Sequence, residues 1–374
     1  MRFSVTAIAH DNVRPRYDNF VSSYDNVVSA VAVSQDNEWI ASGSTDTTII
    51  LWFLKQRRIV HEWVAHRGEV TCLAFSPDGQ SLVSGGRDSA IVIWDISRPQ
   101  GAQRILTLGD RHGSPPEACA WSRAHCEHGS LVACAFPKER KIHVWDAHTL
   151  QHRYTLAFHG FACAKDFFTF SPDGRWLAAE GVRGSCFVWE TATGALHTVL
   201  RDPGLDIRTT VFDPSSKRIA TTSGRGGNAM VQIWGVEAGV RVLSFGKGPL
   251  GAMGSLNVSF SPDGRTVLSV AGDRLTIWDA ATGGAIRALH GSVDLVIRLC
   301  FSPDGKYVAS TSFDGAVKLW RVRDGACVAT LSACPRVTLY VGFSAMAETV
   351  FYACDDGTVY MHRLHDVVER STTY

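Results

Sequence analysis

The stretch Phe-Ser-Pro-Asp-Gly at residues 75–79 decides the fold, because it recurs along the chain and a tryptophan follows each copy at nearly the same distance. The other copies begin at Phe170, Phe260 and Phe301, and the step to the following tryptophan is 18 or 19 residues. Proline presets φ at the first corner of a turn, aspartate can bond its own backbone and glycine accepts positive φ. Each copy therefore predicts a hairpin turn between two strands.

The tryptophans that follow these turns belong to a longer series that runs through the chain. Successive members are 42 to 51 residues apart, and an eighth position in the same register holds a histidine. A period of about 40–50 residues is typical of supersecondary units that bury their apolar faces only against their neighbours. The units have third strands that end near Trp52, Trp94, Trp145, Trp189, Trp234, Trp278, Trp320 and His362.

The residues around the turns alternate in the way that strands require. In the second unit, Val70, Cys72 and Ala74 alternate with their neighbours, and a turn and a short apolar run then lead into Trp94. Each unit supplies three such strands, and the segment after its tryptophan supplies a fourth. Four antiparallel strands repeated radially form a β-propeller. We therefore predict an all-β fold in which residues 1–374 form a single propeller domain.

The number of units determines how the ring closes. Eight third strands can be counted, so we predict eight blades, with seven as the alternative if the third or fifth unit is irregular. After the last third strand, at residues 358–363, only a short polar tail remains, whereas residues 2–9 supply a spare strand before the first repeat. We predict that the N-terminal segment, residues 1–10, completes the last blade and leaves no open sheet edge.

Trp-Asp pairs stand at residues 94–95, 145–146 and 278–279, and degenerate Gly-His-like segments precede several first strands. With these pairs the chain resembles the WD40-repeat proteins, and its near-regular repeats resemble those of stand-alone fungal and bacterial members. The resemblance covers nearly the whole chain and implies a β-propeller. It says little about activity, because a widespread fold hosts many unrelated functions.

The resemblance also implies a buried hydrogen-bonded set in each regular blade. Its members are an opening histidine, a serine or threonine of the second strand, an aspartate of the next turn and the tryptophan. Buried polar groups that satisfy one another need no catalytic role, so we expect these sets to be structural. The sets are His66, Ser84, Asp88 and Trp94 in blade two, His290, Ser310, Asp314 and Trp320 in blade seven, and Ser42, Asp46 and Trp52 in blade one, where Tyr24 replaces the histidine.

The composition argues against several classes of partner. The chain has 37 Lys and Arg against 36 Asp and Glu, a net charge of +1, and no block of like charges, so nucleic acid is a disfavoured partner. There is no run of 18 apolar residues and no apolar signal segment at the start, so we expect no membrane partner and a cytoplasmic location, with the nucleus left open. Ten irregularly placed cysteines indicate small buried apolar residues and no disulfide framework.

One cluster has residue types that bind metals. Cys119, His125, Cys126 and His128 lie in or beside an insertion between the first two strands of blade three. Zinc sites usually combine two closely spaced pairs of such residues, and here no second pair follows. The residues near the channel also have little acid–base character. We therefore predict no metal, no cofactor and no catalytic residue, and we expect that the protein is not an enzyme.

The remaining class of function is recognition. WD40-like rings mostly act as rigid platforms whose partners contact the loop face, which we define as the segments that lead into the first strands and the turns before the third strands. Exposed arginine and aromatic side chains are the usual anchors of interfaces. We expect a monomeric ring that binds a protein or peptide of unknown identity as a non-catalytic scaffold. The expected contact residues are Arg67, Glu69, Arg87, Phe161, Phe313 and Asp355.

Two other functions remain open from the sequence. The first is a small-ligand or metal-binding propeller that uses the blade-three insertion. The second is a structural subunit of a larger regulatory complex, contacted on the rim of the ring near Trp63.

Overall fold

The chain folds into eight antiparallel sheets of four strands each, arranged as the blades of a propeller. The computed structural model describes residues 6–9, 27–36, 38–56, 58–97, 103–107, 113–122, 129–158, 168–181, 184–202, 206–225, 228–249, 256–271, 274–289, 296–331, 337–344, 346–354 and 358–370. In blades one to seven the strands pair in chain order, so each blade is a meander. The prediction of an all-β propeller with eight blades is confirmed, and the alternative of seven is wrong.

The first four blades contain sixteen strands, preceded by the N-terminal strand β1 (Thr6–Ala9). Blade one has β2 (Val28–Val33), β3 (Trp39–Ser44), β4 (Thr48–Phe53) and β5 (Arg58–Val64). Blade two has β6 (Val70–Phe75), β7 (Ser81–Gly86), β8 (Ile91–Asp95) and β9 (Gln103–Thr107). Blade three has β10 (Ala118–Trp121), β11 (Leu131–Phe136), β12 (Lys141–Asp146) and β13 (His152–Ala157). Blade four has β14 (Phe168–Phe170), β15 (Trp176–Glu180), β16 (Ser185–Glu190) and β17 (Leu196–Arg201).

The remaining blades follow the same plan, except that the last takes one strand from the N-terminus. Blade five has β18 (Asp206–Phe212), β19 (Arg218–Arg225), β20 (Asn228–Gly235) and β21 (Val240–Pro249). Blade six has β22 (Leu256–Phe260), β23 (Thr266–Ala271), β24 (Arg274–Asp279) and β25 (Ala285–Leu289). Blade seven has β26 (Val296–Phe301), β27 (Tyr307–Ser312), β28 (Val317–Arg321) and β29 (Cys327–Leu331). Blade eight has β30 (Thr338–Phe343), β31 (Thr349–Cys354), β32 (Thr358–Arg363) and β1.

The two ends of the repeat array meet in blade eight. Strand β1 pairs antiparallel with β32, from Thr6 opposite Met361 to Ala9 opposite Thr358. Since β1 precedes blade one in the chain, its hydrogen bonds to β32 tie the N-terminal end of the repeat array to its last repeat. The predicted closure by the N-terminal segment is confirmed for residues 6–9.

A short helix follows β32, where the sequence had predicted only a polar tail. Helix α1 (Leu364–Arg370) packs against β29 and β32. Leu364, Val367 and Val368 stand three and four positions apart, so they share one helix face, and they pack on the apolar cluster shared by blades seven and eight. The prediction of a polar tail is wrong for these residues because three apolar side chains at helical spacing meet an apolar surface that only the assembled ring presents.

The pentapeptide turns have the geometry that their residues predict. In the first copy, the Gly79 N–H donates to the Ser76 carbonyl at 2.9 Å, and Gly79 has φ of 68°. The Ser76 hydroxyl contacts Asp78 Oδ1 at 2.5 Å, and the Ser81 N–H donates to Ser76 Oγ at 2.9 Å. These bonds are local to the turn, which explains why the same five residues give the same hairpin in four blades.

The core consists of apolar layers between neighbouring blades. One layer combines Ile49 of blade one with Leu82 and Trp94 of blade two. Another combines Trp52 of blade one with Phe351 of blade eight, which shows that the first and last blades pack directly together. Because each layer needs two blades, no single repeat can bury its apolar surface alone.

Candidate functional site

Ser84 is the centre of a buried hydrogen-bonded set in blade two. Its Oγ lies 2.7 Å from His66 Nε2 and accepts a hydrogen bond from Trp94 Nε1 at 2.8 Å. His66 Nδ1 lies 3.1 Å from Asp88 Oδ1. The structure therefore brings together all four residues of the predicted set. Ser84 is 0% exposed, so no substrate can reach its hydroxyl in the folded ring.

The negative charge of Asp88 favours one direction for the hydrogen bonds of this set. Burial opposes ionisation of Asp88, but hydrogen bonds from His66 and from the Arg67 backbone N–H outweigh it and lower the pKa of the carboxyl to about 2. In the neutral imidazole whose Nδ1–H donates to this carboxylate, Nε2 accepts from the Ser84 hydroxyl. Protons are thus donated in one direction, from Trp94 through Ser84 and His66 to Asp88.

The sets in the other two blades are described only in part. In blade one, Trp52 Nε1 donates to Ser42 Oγ at 2.9 Å, and Asp46 accepts from the Thr48 N–H at 2.9 Å; Tyr24 lies outside the described residues. In blade seven, Ser310 and Trp320 are buried, while His290 lies outside the described residues. Asp314 accepts from the Ser312 hydroxyl and, at 2.9 Å, from the Ala316 N–H.

Blade eight contains a pair that the sequence reading missed. His362 stands at the tryptophan position and pairs with Val350, and Tyr352 occupies the serine position two residues later. The Tyr352 hydroxyl lies 3.1 Å from His362 Nε2, and the two rings stack at 5.6 Å. Burial raises the pKa of the Tyr352 phenol, which stays protonated at neutral pH. The serine position stands ten residues before the tryptophan in blades one, two and seven, and the same count back from His362 would have located Tyr352 in the sequence.

On the loop face, Arg67, Glu69 and Arg87 lie together beside the buried set of blade two. Arg87 Nε contacts Glu69 Oε2 at 2.5 Å, with 66% of the Arg87 side chain exposed, and the backbone N–H of Arg87 donates to the Glu69 carbonyl at 2.8 Å. The Arg67 side chain is exposed, and its backbone N–H donates to Asp88 Oδ2 at 2.7 Å. The buried carboxylate of Asp88 therefore holds the loop that presents Arg67.

Phe313 lies on the same face but in a different blade. It is 58% exposed and stands in the turn between β27 and β28, next to Asp314. Contacts between β26 and β30, β2 and β31, and β2 and β6 place blades seven, eight, one and two consecutively around the ring. Phe313 and the arginines of blade two are thus at opposite ends of a four-blade arc. The other two predicted contact residues, Phe161 and Asp355, lie outside the described residues.

The cysteine and histidine cluster of the blade-three insertion is only partly described. Cys119 lies on β10, as expected, but His125, Cys126 and His128 lie outside the described residues. Burial, and then the neighbouring Cys72, raises the pKa of the Cys119 thiol well above its usual value, so it is a poor metal ligand at neutral pH. Within the described ranges, no group of three or more His, Cys, Asp or Glu side chains is placed to hold a metal.

Among the cysteines in the described ranges, the composition-based expectation holds for some and fails for others. Cys72, Cys134 and Cys186 are buried free thiols, as small apolar residues would be. Cys327 is exposed, and Cys354 is disulfide-bonded, so for these two the expectation is wrong.

Two further surfaces are relevant to the alternative functions, which are ligand binding and contact on the rim of the ring. Trp63, expected on an exposed rim, is half-buried, because its ring packs on Trp94 at 5.5 Å. On the face opposite the loop face, α1 borders a cavity of about 600 Å³ whose lining includes Leu54, Tyr307 and Met346. The sequence reading missed this cavity because it depends on α1. Helix α1 itself has seven residues, and nowhere in the described ranges does a helix reach the length and hydropathy of a membrane span.

Comparison with known proteins agrees with this geometry. The family model "WD domain, G-beta repeat" matches residues 15–52, 57–95 and 283–321. The chain contains WD40 repeats. The first two matches end at Trp52 and Asp95, and the third ends at Arg321, directly after Trp320, so the family repeats have the register of the tryptophan series.

Relatives of this chain match different lengths of it. The mouse WD repeat-containing protein 75 is 33% identical over 103 residues, which is 27% of this chain and 12% of that protein. The maize guanine nucleotide-binding protein subunit beta is 24% identical over 248 residues, 60% of this chain and 63% of that protein. The chain thus spans less than two thirds of the length of either relative.

Among solved structures, the WD40 ring is similar to that of Sqt1 from Chaetomium thermophilum bound to the N-terminus of the ribosomal protein L10. The TM-score is 0.74 and the identity 19%, over 91% of this chain and 98% of that chain. At this identity the similarity establishes the fold alone. WD40 propellers are typically non-catalytic protein-interaction scaffolds.

Proposed function

We propose that this WD40 ring is a non-catalytic scaffold that binds a protein or peptide on its loop face. The observation that carries the proposal is the exposure of Phe313, a large apolar side chain that is 58% exposed in a tight turn, on the same face as the exposed arginines of blade two. Aromatic and arginine side chains are the residue types that most often dominate binding energy at interfaces.

Arg87 and Arg67 are suited to bind carboxylates. Glu69 holds the Arg87 guanidinium by a single nitrogen, Nε, so its other N–H groups remain available to a second acceptor. The loop of Arg67 is held by Asp88, so little ordering is needed on binding, and preorganisation of this kind favours affinity. We therefore propose that the partner offers an acidic residue to blade two.

Phe313 complements these charges with an apolar contact. Its turn is held by the hydrogen bonds of Asp314, and the Thr338 hydroxyl of blade eight donates to the carbonyl of Gly315 in the same turn at 2.9 Å. An extended peptide that lies across blades seven, eight, one and two could contact both ends of this arc. The solved complex of Sqt1 with the N-terminus of ribosomal protein L10 supports a peptide as the partner class, since it shows that a ring of similar fold accepts one.

The proposal includes a non-catalytic role and a cytoplasmic location, with the nucleus open. The one Ser-His-Asp combination described above is buried, with Ser84 0% exposed, which supports the first part. The location and the monomeric state remain predictions from the sequence.

Affinity capture from native lysate tests the proposal. The intact ring is compared with the variant Arg87→Glu, Phe313→Asp, and with a matched control, Met346→Asp, Lys55→Glu, which changes an exposed apolar and an exposed basic residue on the opposite face. We expect a partner that is retained by the parent and the control and lost from the loop-face variant. The captured segment is then synthesised as a peptide and titrated into the three purified rings. Equal binding to the parent and the loop-face variant, or loss in the control alone, would reject the loop face.

A further inference from the structure

Two histidines and a threonine meet on the outer strands of blade three. His143 lies on β12, and His152 and Thr155 lie on β13. His143 Nδ1 is 3.4 Å from His152 Nε2, and Thr155 Oγ1 is 3.0 Å from each of these nitrogens. We propose that His143 and His152 form a binding site for a divalent transition-metal ion on the rim of the ring.

The separation of the two nitrogens fits metal chelation. Imidazole nitrogens bind zinc at about 2.0–2.1 Å, and two such bonds at a tetrahedral angle place the nitrogens about 3.3 Å apart. The distance between His143 Nδ1 and His152 Nε2 is 3.4 Å, so the rings need almost no movement to share an ion. The Thr155 hydroxyl faces the same point and could donate to a water bound in an open coordination position.

The surroundings of the pair hold one ring firmly and leave the other accessible. His143 is half-buried, and its ring lies 5.3 Å from that of Phe136 and 5.9 Å from that of Trp145. His152 is exposed, so an ion can reach the pair from solvent. The cation nearest in sequence, Arg153, lies 4.0 Å from the Asp146 carboxylate, which offsets part of its repulsion toward a metal ion.

A β-bulge brings the two histidines to one side of the sheet. The register between β12 and β13 shifts between Val144 and Trp145, so that Trp145 pairs with His152, while His143 pairs with Thr155. In a regular ladder the residue opposite Trp145 would be Arg153. The extra residue of the bulge places His152 beside Thr155 and His143.

The other blades show that the fold does not require histidines here. The same bulge precedes the tryptophan in blades one, two, four, five, six and seven. The residue two positions before the tryptophan and the residue paired with the tryptophan are therefore equivalent to His143 and His152. These equivalents are Ile50 and Ile59, Val92 and Arg104, Phe187 and Leu196, Gln232 and Arg241, Thr276 and Ala285, and Lys318 and Cys327.

The ligand set determines which ions fit. Two neutral imidazoles suit zinc, copper and nickel, and affinity rises toward Cu²⁺ and falls again at Zn²⁺. Water would complete the coordination, so the ion would exchange with solvent. Because β13 is the outermost strand of its sheet, a bound ion would link that edge strand to β12. The pair shares no residue with the cysteine and histidine cluster of the sequence between β10 and β11.

Calorimetric titration of the metal-stripped protein without a histidine tag tests the site. CuCl₂, NiCl₂ and ZnCl₂ are added separately in a non-coordinating buffer, and Cu²⁺ ligation is read by electron paramagnetic resonance. We expect one ion per chain, bound most tightly as Cu²⁺, with two nitrogen ligands in the spectrum. Loss of a residue that only orients a metal-binding side chain typically weakens metal affinity by about 10–100-fold. Loss of the metal-binding side chain itself should cost at least as much, so His152→Gln and His143→Gln should each weaken affinity by about 10–100-fold or more.

Matched variants separate this site from other surface histidines. His148→Gln changes an exposed histidine in the turn of the same blade, and His365→Gln removes the histidine that lies 3.1 Å from Glu369 in α1. Both should bind like the parent. Absence of binding in the parent, parent-like affinity in His152→Gln, or loss of binding in His365→Gln would each overturn the proposal. Because His152 is exposed, its variant should fold normally, and an unchanged melting temperature without metal checks this.

Discussion

Replacement of Ser84 by alanine should destabilise the ring far more than its loss of one oxygen atom suggests. The change leaves the packing nearly unaltered, but it removes the shared partner of Trp94 Nε1 and His66 Nε2, which lie 2.8 Å and 2.7 Å from Ser84 Oγ. A buried polar group left without a partner costs about 1–3 kcal/mol. For two such groups, with some local relaxation, we expect the free energy of unfolding to fall by about 2–4 kcal/mol.

Urea unfolding at neutral pH measures this loss, with Ser97→Ala as the control. Ser97 also donates from its hydroxyl to an aspartate, Asp95, at 2.6 Å, but it is exposed, so its replacement should change stability by less than about 0.5 kcal/mol. Adding Trp94→Phe completes a double-mutant cycle. Because the indole donor and the serine acceptor share one bond, the two changes should be non-additive by about 1 kcal/mol.

Two results would refute this reasoning. If Ser84→Ala were no more destabilising than Ser97→Ala, the buried set would contribute nothing measurable to stability. If Ser84→Ala and Trp94→Phe were additive, the bond between them would not carry the effect, and the loss would have to arise from the contact with His66 or from packing.

Three more predictions follow from the same structure. Because the pKa of Asp88 is lowered to about 2, its ionised form stabilises the ring above about pH 3.8, and this contribution is lost as the pH falls from 3.8 toward about 2. Asp88→Asn should therefore be about 1–2 kcal/mol less stable than the parent at pH 7. Urea unfolding at a series of acid pH values should show this difference closing. Deletion of residues 1–10 removes β1 and exposes the edge of β32, so the melting temperature should drop, and an unchanged value would argue against the closure. Tyr352→Phe leaves His362 Nε2 without its phenol partner and should cost about 1–2 kcal/mol in urea unfolding, whereas a neutral result would show that the stacked rings alone hold blade eight.

The parts of the fold that the sequence predicted are those that repeat or act locally. The pentapeptide turns close through hydrogen bonds within five or six residues, as between Ser76 and Ser81, so their shape does not depend on the rest of the ring. The tryptophan period then set the number of blades. The buried set around Ser84 could be predicted from the sequence for the same reason, since each of its members stands at a fixed number of residues from the tryptophan of its blade.

The candidate interaction face could be predicted from the sequence only in part. The turn position of Phe313 predicted its exposure, but the 2.5 Å contact between Arg87 and Glu69 depends on how two separate loops of blade two approach each other. Helix α1 was missed because its apolar side chains are stabilised only by a surface that blades seven and eight form together.

By itself, the sequence determined that this protein is a ring of four-stranded repeats and favoured eight blades over seven, with closure by the N-terminal strand, because period, turn chemistry and strand alternation are properties of short segments. Only the tertiary structure decided which side chains meet. A one-residue bulge moves His152 beside His143, and the assembled ring gives α1 a surface on which to pack. Such contacts depend on strand register and on the packing of neighbouring blades. Neither can be read from the spacing of residues in the sequence.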